Sequence, residues 1–162
     1  MKRKILGAVL LAVLLIQLIR PDRTAEPVDP LNDLIAVTKP SADVETILRT
    51  ACYDCHSGQP RYPWYTNVAP ISWWLQHHIN EGREHFDLSS WGKASVKKRD
   101  HKLEEAVEMV EGGEMPLPSY TWTHADARLS EAQRTTLVAY FSSLSSGTNA
   151  DVPDRGSQEP GK

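Results

Sequence analysis

At 162 residues the chain has room for one domain, and a hydrophobic share of 40 % is enough for a single core. The formal charge is −3, and the first twenty residues hold Lys2, Arg3, Lys4 and Arg20 without an acid, so everything after them is strongly acidic. That sign excludes nucleic acid as a partner and suits partner proteins with a basic face.

Met1-Lys2-Arg3-Lys4 leads into an apolar run from Ile5 to Ile19 that only Gln17 interrupts, and polarity returns at Arg20-Pro21-Asp22-Arg23. A basic start ahead of an apolar run is an export signal. Arg23-Thr24-Ala25 puts an arginine where a cleavage site wants a small residue, so residues 1–20, a signal sequence or an uncleaved membrane anchor, are read in favour of the anchor, 5–19 being its membrane part. The basic residues ahead of the run stay cytoplasmic and the rest is exported, with the bacterial inner membrane as a binding partner. Residues 21–40, with Pro21, Pro27, Pro30 and Pro40 among acids and small polar residues, predict an extended tether.

The domain proper is expected over 41–146, and its pattern is helical. Ser41 is a candidate N-cap, and Val44, Ile47, Leu48 and Ala51 follow at helical spacing, delivering an apolar stripe into Cys52. A second helix is predicted from Pro70 to just before Gly82, with Ile71, Trp74, Leu75, His78 and Ile79 on one face. A third runs from about Ser95 to Glu111, buries Leu103, Ala106, Val107 and Val110, and stops at Gly112-Gly113. Ser130 and Gln133 form a capping box for a fourth, whose Leu137, Tyr140, Phe141 and Leu144 predict a crossing with the helix from Ser41. No strand is predicted. Residues 147–162 are Gly, Ser, Pro, Asp and Asn with almost no apolar side chain, which predicts a disordered tail.

The chemistry lies in Cys52-Tyr53-Asp54-Cys55-His56, because C-x-x-C-H is the attachment spacing of c-type haem. Two thiols three positions apart reach two vinyl groups of one porphyrin, and the adjoining imidazole of His56 binds the iron from the proximal side. A zinc site needs further ligands at similar spacing, and no third cysteine exists; a redox dithiol needs a βαβ context that is absent. One covalent haem c also agrees with export, since such proteins are completed in the oxidising periplasm.

The distal position decides between electron transfer and small-molecule chemistry. Met115, in Gly113-Glu114-Met115-Pro116-Leu117-Pro118, is presented by a proline-stiffened loop and is the first candidate, against the reading that it only fills a gap beside the ring. Met109 fits the core of its helix. His78, on an apolar helix face, is the alternative distal ligand, though such a histidine is more often buried and hydrogen-bonded. His77 and His101 fall on polar faces and His85 in a charged turn, while His124 is expected to hydrogen-bond near Met115. Arg61, Tyr62, Trp64 and Tyr65 bring a guanidinium, two phenols and an indole close after the motif. They are read as covering the haem, with Arg61, and Arg83 as a second cation, on the propionates, or else as aromatic core beside it.

With these residues in view, the chain resembles the bacterial haem-binding-domain family of small exported monohaem cytochromes c. The likeness is carried by Cys52-Tyr53-Asp54-Cys55-His56-Ser57, Tyr62-Pro63-Trp64-Tyr65, the run Ala69 to His78, Gly112 to Tyr120 and His124 to Ser130. It implies an all-α, cytochrome c-like wrap of helices and loops around one covalent haem, attached outside the cytoplasm. The expected function is one-electron transfer through an iron held by His56 and Met115, in a periplasmic, membrane-tethered cytochrome rather than an enzyme. Two alternatives stand beside it: a haem enzyme or sensor whose distal ligand exchanges for peroxide, CO or NO, and a haem module of a larger complex.

Overall fold

The computed structural model describes residues 1–24 and 27–145, and every regular element in them is helical, as expected. The tail predicted over 147–162 lies outside the described residues.

Helix α1 spans Lys2–Ile16 and continues in tight turns, in which the amides of Gln17, Leu18 and Ile19 donate three residues back. Its apolar side chains point outward, Leu6, Leu10 and Leu14 among them. No helix among the described residues is long and apolar enough to cross a membrane. Beyond it the chain does not run free. Gln17, Arg20 and Arg23 bond the loop around residues 66–69, and the Arg23 guanidinium lies 4.4 Å over the Tyr62 ring.

The extended tether expected over 21–40 is corrected from residue 30 onward. Asp29 caps a 3-10 turn at Pro30–Asn32, and Asp33 caps α2, Leu34–Thr38. Proline at the first position of a helical turn has no amide to lose there, so Pro30 starts structure instead of preventing it. Leu34 is fully buried, and its amide donates to the Leu88 carbonyl at 2.8 Å. Burying a leucine is worth about 1.5–3 kcal/mol, which is reason enough for this segment to dock.

Ser41 caps α3, Ala42–Ala51, accepting from the Val44 amide. Val44, Ile47 and Leu48 are buried, and the helix ends at Cys52, from which the single turn α4, Tyr53–His56, departs. Helix α5 covers Ile71–His85, so it starts where expected but runs through Gly82, placing His85 in its last turn rather than in a loop. Helix α6, Val96–Glu111, is capped by Ser95, and α7 is one turn, Pro118–Thr121.

Helix α8, Glu131–Ser145, opens on the predicted capping box: the Gln133 amide donates to Ser130 Oγ at 3.2 Å and the Ser130 amide to Gln133 Oε1 at 2.9 Å. It touches α3, as the stripe predicted, but its main partner is α6, where Arg134 donates to the Val110 carbonyl. The core gathers Leu34, Val44, Ile47, Leu48, Tyr53, Leu88, Trp91, Leu103, Val110, Leu137 and Phe141, and both Cys52 and Met115 border it.

Candidate functional site

The turn α4 is built by the amides of Cys55 and His56, which both donate to the Cys52 carbonyl at 3.2 and 2.9 Å. Cys52 is the N-cap of this turn and Cys55 lies within it, three positions on. Both are free thiols. Burial pushes Cys52 up to about 12 and Cys55 up to about 11, which keeps each protonated near neutral pH.

His56 is oriented from behind. Its Nδ1 lies 2.9 Å from the Gly82 carbonyl and 3.0 Å from the Phe86 carbonyl, the last acceptors of α5. Two carbonyls at one nitrogen require the proton there, which leaves the Nε2 lone pair free for a metal. Burial lowers the imidazole's proton affinity, favouring the neutral form that ligates. Gly82 is required here, since a Cβ at that position would stand 2.8 Å from the Cys55 carbonyl oxygen. The His56 carbonyl in turn accepts from the Leu88 amide at 2.8 Å, so the motif is pinned from both sides.

Asp54, the second residue between the cysteines, is buried and anchors a polar network. Arg61 reaches it with Nε at 3.1 Å, Nη2 at 3.0 Å and its backbone amide at 3.1 Å, and the Tyr120 hydroxyl donates at 2.7 Å. Tyr120 stacks on His124 at 4.0 Å between centroids, and His124 Nε2 meets the Tyr65 hydroxyl at 3.1 Å. Arg61 and Tyr65 therefore brace the motif through Asp54. Tyr62 bonds Gln76, and Trp64 stands 79 % exposed. Arg83 donates from Nε to the Ser57 carbonyl at 2.7 Å, just past the motif.

Of the two distal candidates, Met115 is half-buried against the core, its amide donating to the Met109 carbonyl at 3.0 Å. His78 lies against Trp74 at 4.4 Å, with Nδ1 3.9 Å from a Glu81 carboxylate oxygen. His124 is hydrogen-bonded in its loop, as expected, and His77 and His101 pair with acids one turn on.

Sequence reasoning missed Arg99. It is 1 % exposed, and none of its guanidinium nitrogens has a hydrogen-bond partner. An unpaired buried cation costs several kcal/mol, so an anion is called for. Its signal was spacing: Arg99, Leu103 and Val110 are all buried on α6, and an arginine fell on a stripe read as apolar.

The motif offers two free thiols three positions apart and a neutral imidazole with a free Nε2, and elsewhere in the domain α6 holds a buried cation without a hydrogen-bond partner. That set fits a haem, with its vinyl groups, iron and carboxylates. A family model described as a haem-binding domain matches residues 11–143. No curated protein and no solved structure matches the chain.

Proposed function

The chain belongs to the haem-binding domain family and binds haem, and from that premise we propose that it is a monohaem c-type cytochrome that transfers single electrons. The observation that carries the reading is the geometry of α4, which Cys52 caps and which holds Cys55 and a back-braced His56. When bound, the haem supplies a one-electron iron couple. Every other part of the work belongs to the chain. Cys52 and Cys55 hold the group by thioether bonds. His56 ligates through Nε2, and the Gly82 and Phe86 carbonyls fix its tautomer and raise its basicity. Met115 supplies the distal sulfur. Arg99 takes a propionate, while Arg61 keeps Asp54 and the turn in place.

The reading includes export to the bacterial periplasm with the apolar helix α1 as a membrane anchor. Outward-facing leucines along α1 and three basic residues before the apolar run support it. Redox partner proteins with a basic face fit the acidic domain.

The test is spectroscopic. Haem should stay with the polypeptide through denaturing electrophoresis, and the oxidised protein should show the weak far-red sulfur-to-iron band. Met115→Ala should lower the potential and open the iron to CO, and His78→Ala should leave both near wild type. Complete release of haem by acidic organic extraction overturns covalent attachment. An open site created by His78→Ala instead makes the coordination bis-histidine. Rapid CO binding by the wild type, with peroxide turnover, replaces electron transfer with the enzymatic alternative.

A further inference from the structure

Beyond the haem site, exposed apolar side chains on the loop and helix start that follow the motif remain unexplained. Trp64 is 79 % exposed, Val68 40 %, and Ile71 and Trp74 45 % each. Trp64 opens the 3-10 turn Trp64–Asn67, Val68 caps its end, and Ile71 and Trp74 stand in the first turn of α5, so all four belong to one short stretch of chain. Scattered exposed apolar residues need no explanation, but two tryptophans, an isoleucine and a valine together do.

This segment is bonded to the end of the apolar run. Gln17 clasps the Ala69 backbone, its Nε2 donating to the carbonyl at 3.1 Å and its Oε1 accepting from the amide at 2.9 Å. The Trp73 indole donates to the Ile19 carbonyl at 2.8 Å. Arg20 donates to the Asn67 carbonyl, and Arg23 to the Asn67 side chain and the Thr66 carbonyl. These bonds run from residues 17, 19, 20 and 23 to residues 66, 67, 69 and 73, so the face sits beside the end of the apolar run.

An apolar run from Ile5 to Ile19 spans only about 22 Å as a helix at 1.5 Å per residue. The hydrocarbon core is about 30 Å thick, so a short run is accommodated by thinning the bilayer and drawing its flanks into the interface. Whatever is bonded to residues 17–23 is drawn there too. Tryptophan is the side chain most suited to that layer, with an apolar body and a polar N–H.

We propose that the face of Trp64, Val68, Ile71 and Trp74 lies in the headgroup layer of the membrane that holds α1 and fixes the orientation of the haem domain on it. The inference rests on the reading of α1 as an anchor, and the test separates the two. Full-chain holoprotein is reconstituted in phosphatidylethanolamine and phosphatidylglycerol vesicles, with a nitroxide placed in turn at Leu10→Cys, Val68→Cys, Ile71→Cys and Glu104→Cys. Accessibility to oxygen is compared with accessibility to a water-soluble nickel chelate.

Leu10 should favour oxygen strongly, Glu104 on α6 should favour the chelate, and Val68 and Ile71 should lie several-fold above Glu104 in their oxygen-to-chelate ratio. If Val68 and Ile71 match Glu104 while Leu10 is in lipid, the face is in water and free for a soluble partner, and the inference falls with the anchor intact. If Leu10 is itself in water, the anchor reading falls and takes the inference with it.

Discussion

Arg61 and Arg99 stand in opposite electrostatic positions, and in neither case the one that the sequence suggests. Arg61 follows the cysteines closely and looks free for a propionate, yet it is spent on Asp54, a carboxylate inside the motif. Arg99 lies far along the chain on an otherwise apolar stripe and is left with no partner at all. Sequence shows residue types and spacing but not which of two cations a buried carboxylate will claim.

The consequences differ in sign. In protein expressed without haem, Arg99→Met should raise stability by about 1–4 kcal/mol, because it removes a buried charge with no counter-ion. In the haem-loaded protein the same change should destabilise and lower the midpoint potential, as ferric iron loses a nearby positive charge. Paired denaturation curves and a spectroelectrochemical titration read both, and stabilisation of both forms would remove Arg99 from the propionates. Arg61→Gln and Tyr120→Phe should each cost about 1–3 kcal/mol, since each strips a hydrogen bond from a buried carboxylate. Their effects should fall short of additive in the double variant, and the potential should stay close to wild type.

At the level of elements, the caps that start three helices were legible, as was the stop of α6 at Gly112, but the end of α5 was not. Ser41, Ser95 and Ser130 each cap where the pattern placed them, because an N-cap is a local contest between one side chain and the next few amides. Gly82 read as a stop for α5, but the helix continues through it to His85. Glycine there answers a tertiary demand, the approach of the Cys55 carbonyl, that no local pattern carries. Pro30 and Leu34 were likewise read with a tether, although Leu34 docks in the core.

The role of Gly82 gives a sharp test. Alanine is the better helix former by about 1 kcal/mol, so by propensity alone Gly82→Ala should stabilise α5. Its methyl would stand 2.8 Å from a backbone oxygen of the motif, and a forced backbone shift costs about 1–3 kcal/mol. The expected outcome is net destabilisation with a lower yield of haem-loaded protein and a displaced His56 signal in the paramagnetic NMR spectrum. A more stable variant with an unchanged spectrum would show that the close contact relaxes freely.

For the whole molecule, the cysteine motif and the helical periodicity made the class of fold and the haem-binding family readable, while the junction between residues 17–23 and the loop around 66–69 was invisible. Its bonds run mostly to backbone groups far off in sequence, which leave no compositional trace. Charge, by contrast, is fully legible at this scale. The acidic balance beyond residue 20 sets a negative field over the domain, and haem carboxylates add to it. Exposed charges more than a Debye length apart, about 8 Å at physiological salt, are screened, so the field shows in its salt dependence. Reduced protein mixed with a cationic cobalt complex should transfer its electron more slowly as ionic strength rises. An anionic complex of similar potential should react more slowly at low salt and speed up as salt is added. Stopped-flow rates at a series of salt concentrations decide it: opposite slopes support a basic-faced partner, and equal slopes would mean that the surface through which electrons leave is locally neutral whatever the net charge.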